Sequence, residues 1–148
     1  MELSKGVLLI DDEPRFRDGV AELLSPVLPS PWFFLAPETL KEALEVVIQP
    51  QIVLALVDHT LSSHGYQELQ SGSMNPGNIR GFEVCKRILA VRTDLPIVAF
   101  SKGNNGTMRT LSTFHFDRKQ HLLDQEVKEV RAEFVNFMLT LIGGLSPL

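Results

Sequence analysis

The sequence predicts an α/β fold: a five-stranded parallel sheet, doubly wound, with helices on both faces in three α/β/α layers. Three observations predict it. Short unbroken apolar runs at residues 7–10, 52–57 and 96–100 have the length and composition of strands buried on both faces. Segments of helical periodicity separate them, each closed by proline or glycine. The alternation of the two kinds of segment implies right-handed crossovers and a parallel sheet.

The elements follow in order. After the first apolar run come Asp11 and Asp12, then Pro14 at a natural first helical position. Phe16, Val20, Leu23 and Leu24 then recur at helical spacing until Ser25 and Pro26. Residues 32–35 read as a second short strand. Leu40, Ala43, Leu44 and Val47 mark a second amphipathic helix, closed by Pro50. Residues 52–57 form the clearest strand, β-branched and continuous, with Asp58 at its carboxyl end. A third helix over 81–91 is expected to bury Phe82, Cys85, Ile88 and Leu89. Residues 96–100 make a fourth strand ending at Ser101, and 113–118 a weaker fifth, followed by Lys119. A long helix over 122–142 carries Leu123, Val127, Val130, Phe134, Phe137 and Leu141 on one stripe, and Gly143 and Gly144 are expected to stop it.

A chain of 148 residues suits one domain with a core of ordinary size, and neither a repeat nor a second domain is visible. The net charge of −4 gives no support to direct nucleic-acid binding, which would show a basic stripe. The single cysteine, Cys85, excludes an internal disulfide and suits a reducing compartment. The apolar run near the amino terminus is too short for a signal-peptide core or a membrane span. A cytoplasmic protein without a membrane segment is the expectation.

In a doubly wound sheet the binding crevice lies beyond the carboxyl ends of the strands. Asp11, Asp12, Asp58, Ser101 and Lys119 all fall there. Three carboxylates crowded together repel unless a cation intervenes, and oxygen donors with few carboxylates suit Mg2+. One carboxylate is then available as a nucleophile toward a phosphoryl group, with the lysine ammonium and the serine hydroxyl placed for the phosphoryl oxygens. The competing reading is structural. Asp11 and Asp12 would cap the first helix, Ser101 would be a turn residue, and Lys119 a solvated charge. Asp58 resists that reading, because a carboxylate directly after six apolar strand residues is costly unless paired or functional.

These residues resemble the receiver domains of two-component response regulators. Val-Leu-Leu-Ile-Asp11-Asp12-Glu13 resembles the family's first strand and acidic pair, and Ile-Val-Leu-Ala-Leu-Val-Asp58 its third strand and phosphoacceptor. Gly81-Phe-Glu-Val-Cys-Lys-Arg-Ile-Leu is similar to the opening of its third helix. Leu-Pro-Ile-Val-Ala-Phe-Ser101 is similar to its fourth strand with the hydroxyl residue, and Lys119 to the lysine that ends its fifth. The resemblance covers nearly the whole chain and implies a flavodoxin-like strand order, 2-1-3-4-5. It also implies Mg2+ held by Asp12, by Asp11 through water, by Asp58 and by the backbone carbonyl of Thr60. The donor would be a phosphohistidine on a sensor histidine kinase or histidine phosphotransfer protein, and the receiver would catalyse only its own phosphorylation and hydrolysis. Ser101 and Phe116, three residues before Lys119, would form the switch that a downstream protein target reads.

The sequence also departs from that pattern. Residues 61–80, between the third strand and third helix, form a long polar insertion beginning beside the phosphoacceptor. The segment from Ser101 to Lys119 is short, and Gly103-Asn104-Asn105-Gly106 is a poor helix start. Asp117 and Arg118 stand at strand positions normally apolar, and Gln120 replaces the usual proline. Lys102 is the alternative cation. His59, His64, His115 and His121 lack zinc-site spacing. Phe137, Met138, Leu141 and Ile142 widen the stripe of the last helix, which makes a homodimer through it a second expectation. The leading expectation is a stand-alone phosphoacceptor receiver that signals by protein contact. The runner-up is a receiver-like interaction module that works without phosphorylation. A third reading, a small magnesium phosphohydrolase, is disfavoured by Thr60, where such enzymes often carry a second aspartate.

Overall fold

The structure is a computed structural model that describes residues 3–58, 60–62, 78–100, 111–116, 119–122 and 128–145. In chain order the elements are β1 (Lys5–Ile10), α1 (Pro14–Leu24), β2 (Trp32–Leu35), α2 (Leu40–Val46) and β3 (Ile52–Asp58). There follow β4 (Thr60–Ser62), β5 (Asn78–Arg80), α3 (Gly81–Val91), β6 (Ile97–Phe100), β7 (Phe114–Phe116), a 3-10 turn (Lys119–His121) and α4 (Lys128–Gly144). The main sheet runs β2-β1-β3-β6-β7, and every pairing in it is parallel. Counting its strands alone, this is the expected 2-1-3-4-5 order.

Strand alternation divides the core into two layers. Leu8, Ile10, Ala55, Val57, Ile97 and Ala99 point to one face, where Leu40 and Ala43 of α2 and Val84, Cys85 and Ile88 of α3 cover them. Val7, Leu9, Leu54, Leu56, Val98 and Phe100 point to the other, beneath Val20 and Leu24 of α1 and Val130, Phe134, Met138 and Ile142 of α4. Because both faces are buried, the strands read as continuous apolar runs rather than alternating ones. Burial pushes the Cys85 thiol up to about 12, which fits an inert core residue.

Gly6 marks a close approach within the sheet. The register between β1 and β3 shifts between Gly6 and Val7. A Cβ at position 6 would stand 2.7 Å from Phe33 Cζ and 2.8 Å from Ile52 Cδ1. Gly6→Val should therefore cost about 1–3 kcal/mol through overpacking. Thermal denaturation checks this, and an unchanged midpoint would show that the two neighbouring side chains give way freely.

Several boundaries differ from the sequence reading. The insertion over 61–80 is not a plain loop at its ends: β4 and β5 pair antiparallel, Thr60 with Arg80 and Ser62 with Asn78. Residues 63–77, including His64, lie outside the described residues, as do 101–110, where the irregular fourth helix was expected. The fifth parallel strand is shorter than 113–118, with Asp117 and Arg118 outside the described residues. Leu122 lies in a turn after the 3-10 segment, the described part of the last helix begins at Lys128, and Leu123 and Val127 are outside the description. That helix runs through Gly143 and Gly144 instead of stopping before them, since neither glycine adopts the left-handed backbone that would cap it. Its buried stripe is Val130, Phe134, Met138 and Ile142, at the i, i+4 spacing of one helix face. Phe137 and Leu141 lie beside that line, half-buried against the core.

Candidate functional site

Three strand ends build the site. β1 and β3 are adjacent and in register up to Ile10 and Val57, so Asp11, one residue beyond β1, arrives beside Asp58 at the last position of β3. Asp12 follows Asp11 in the turn into α1. Asp58 is itself registered with Phe100 at the end of β6, and Phe100 with Phe116 at the end of β7. From there two residues carry the chain to Lys119, whose side chain turns back toward the acidic group. All four charged residues are buried, Lys119 completely.

Lys119 Nζ lies 2.6 Å from Asp11 Oδ2 and 3.0 Å from Asp58 Oδ1. The ammonium thus bridges two carboxylates contributed by different strands. Asp11 is fixed at two further points. Its Oδ1 accepts from the Glu13 backbone N–H at 3.0 Å, and its carbonyl accepts from Arg17 Nη1 at 2.9 Å. The residue at the amino-terminal cap of α1 is Glu13, and the Asp11 side chain serves the turn and the pocket, which removes the helix-capping alternative for Asp11.

The charge balance is unfavourable: three carboxylates face one ammonium in a buried space. Burial, reinforced by the neighbouring negative charge of Asp11 and only partly offset by Lys119, pushes the Asp58 carboxyl up to about 8. Burial likewise raises Asp11, against the pull of Lys119. For Lys119 burial favours the neutral amine, but the charges of Asp58 and Asp11 outweigh it and the lysine is held charged. What the pocket resists is surplus negative charge, the condition that a bound cation relieves.

The donor set fits such a cation. Asp11, Asp12 and Asp58 each offer a carboxylate oxygen, and these oxygens lie within 4.8 Å of one another. An octahedral ion with oxygens at about 2.1 Å spaces its ligands about 3 to 4 Å apart, so small side-chain rotations suffice. Oxygen-only ligation suits a hard divalent ion rather than zinc. Among the described residues, no other group of this kind is present.

The remaining expected residues divide. Phe116 is buried in an aromatic cluster, with ring centroids 6.1 Å from Phe100, 5.1 Å from Phe134 and 5.6 Å from Phe137. Thr60 opens β4, two residues past Asp58. Ser101, Lys102 and His59 lie outside the described residues. His115 is exposed on β7, and His121 is half-buried in the 3-10 turn. Two residues of α1 were missed, Phe16 as a neighbour of Lys119 and Arg17 as a clamp on Asp11. Arg17 was legible: it lies three residues before Val20 and seven before Leu24, so a charged side chain stands inside the apolar stripe.

No protein-family model matches the chain, and no curated protein matches it. Solved structures do. The response regulator domain of CheB from Thermotoga maritima superposes with a TM-score of 0.61 at 13% identity, covering 93% of this chain and 96% of its own. The response regulator TrrA from the same organism, solved with Mg2+ and BeF, gives 0.58 at 19% identity, with 85% and 98% covered. A CheY-like receiver domain from Methanospirillum hungatei gives 0.56 at 16%, with 88% and 96% covered. The chain has the receiver-domain fold. At such low identity the likeness is one of architecture, and within it the strand ends of this chain bring together an acidic group of three and one buried lysine. Among the described residues, no helix is long and apolar enough to cross a membrane.

Proposed function

We propose that this receiver accepts a phosphoryl group on Asp58 from a phosphohistidine and signals by binding a downstream protein. The observation that carries the reading is the Lys119 ammonium set between Asp11 and Asp58 in a buried acidic pocket. That arrangement provides a nucleophile, a counter-charge and a divalent-cation site in one place.

In the transfer, an Asp58 carboxylate oxygen attacks phosphorus and forms the O–P bond of an acyl phosphate. The N–P bond to the donor imidazole breaks and its electron pair returns to the ring nitrogen; with the other ring nitrogen of the phosphohistidine already protonated, the histidine leaves neutral. Asp12, Asp58 and the Thr60 carbonyl would hold Mg2+ directly and Asp11 through water, and the ion would supply charge neutralisation for the phosphoryl oxygens. Lys119, already 3.0 Å from Asp58 Oδ1, pairs with a phosphoryl oxygen from its own side of the pocket. Ser101, directly after β6, donates its hydroxyl to another, and Phe116 reports the change from the end of β7. The catalysis is limited to the receiver's own phosphorylation and hydrolysis. The donor is a sensor histidine kinase or histidine phosphotransfer protein, and the setting is the cytoplasm. The TrrA structure with Mg2+ and BeF supports the reading by its fold and by the class of ligand it holds.

The test is intact-mass measurement after incubation with acetyl phosphate and Mg2+. The expected result is a gain of about 80 Da, the mass of one phosphoryl group, absent in Asp58→Asn and absent with EDTA. A chain that gains no mass from acetyl phosphate or from any histidine-phosphorylated donor is instead an interaction module that works without phosphorylation.

A further inference from the structure

We propose that Phe16 is a positioning residue for the Lys119 ammonium, holding it between the two carboxylates by the face of its ring. The inference rests on the phosphoacceptor reading, because its consequence is for the phosphoryl oxygens that Lys119 meets.

The Lys119 Nζ lies 4.3 Å from the Phe16 ring centroid and 5.4 Å from that of Phe100. The ammonium therefore has carboxylates on one side and aromatic surface on the other, with its own side chain wholly buried. A cation removed from water gains from the negative face of an aromatic ring, whereas an aliphatic side chain of similar size fills the same space and gives no such attraction. Without the ring, the shorter contact at Asp11 (2.6 Å against 3.0 Å at Asp58) would draw the ammonium toward Asp11 and away from the phosphoacceptor. The ring itself is well anchored. The Phe16 backbone N–H donates to the Glu13 carbonyl at 3.0 Å. The next residue, Arg17, grips the Asp11 carbonyl at 2.9 Å. Two consecutive residues of α1 thus set the two partners of one ion pair: Arg17 the carboxylate residue, Phe16 the cation. Phe100 is a second wall, but it also packs on Phe116 and Phe134 and is tied to the core.

The test uses the full chain in three forms: wild type, Phe16→Leu, and pentafluorophenylalanine incorporated at position 16. The fluorinated ring keeps the shape and reverses the charge of the ring face, so it carries the test if the leucine variant fails to fold. The first measurement is the proton shift of the Lys119 ε-methylene in lysine-labelled protein. An upfield ring-current shift is expected in the wild type and its loss in Phe16→Leu. The second is the rate of phosphorylation by acetyl phosphate, expected to fall by a factor of about 3 to 30 in both variants, with Mg2+ affinity unchanged. Wild-type rates in both variants, or a parallel loss of Mg2+ affinity, would overturn the inference. Should the wild type accept no phosphoryl group at all, the phosphoacceptor reading falls, and the ε-methylene shift alone decides the placement: present and lost with the ring, it stands; absent, it fails.

Discussion

Lys119→Met lowers the stability of the metal-free protein by about 3–5 kcal/mol at pH 8.5, where Asp58 is ionised, the cost of leaving buried carboxylates without their counter-charge. For a domain of this length, about 2–4 °C of thermal midpoint accompanies each kcal/mol, so the transition drops by roughly 6–20 °C. Methionine keeps the length of the stem, which isolates the charge from packing. Two companion measurements identify the cause. Adding Asp58→Asn to Lys119→Met restores part of the loss, because the second change removes one of the carboxylates 3.0 Å or less from the missing ammonium. Millimolar Mg2+ restores part as well, by binding the folded state alone. A Lys119→Met protein as stable as the wild type in EDTA would mean that the ion pairs contribute nothing to folding.

The second large effect is a dependence on pH that runs opposite to ordinary acid denaturation. Asp58 is held near 8 by burial and by Asp11, whereas in the unfolded chain it returns toward 3.8. The folded state therefore carries a proton that the unfolded chain has released, across the window from about 4 to about 8. A state that binds more protons loses stability as they are withdrawn, so the Asp58 contribution is full below that window and is lost as pH rises through it. The raised Asp11 carboxyl acts in the same direction. In EDTA the thermal midpoint should fall from pH 5 to pH 9, with up to about 4 kcal/mol from Asp58 at stake. Asp58→Asn should flatten that slope and be the more stable protein at pH 8.5, since the attraction of Lys119 does not recover the cost of burying the charge. Mg2+ should reverse the trend, because it binds the ionised carboxylates. A midpoint that rises steadily with pH in EDTA would show that Asp58 is solvated or well paired.

Much of the architecture was legible because it depends on pattern. The runs Val7-Leu8-Leu9-Ile10 and Ile52 to Val57 lie in strands buried on both faces, so no polar alternation obscures them, and the acidic residues after them mark the strand ends. Gly81–Val91 matched its helix at both ends, since Gly81 begins the periodic segment and proline closes the turn that follows it. The convergence of Asp11, Asp12, Asp58 and Lys119 followed from strand order, even though three described residues of β7 gave little signal of their own. What escaped were contacts without a period. The pairing of Thr60–Ser62 with Asn78–Arg80 joins two segments across a long gap, and each alternates over only three residues, too few to reveal a strand. The ring of Phe16 reads as core in the sequence, and its position over a cation emerges only from the fold.

The ladder between β4 and β5 has a consequence for how the chain tolerates its longest excursion. Because Thr60 and Arg80 face each other across it, the polypeptide leaves the sheet and comes back at the same place. Third strand and third helix are therefore spaced by the foot of this ladder, whatever sequence lies between its two legs. Closing a longer excursion adds only logarithmically to the entropy cost. Length and composition there are free to vary while Asp58, two residues short of the fork, keeps its address in the sheet.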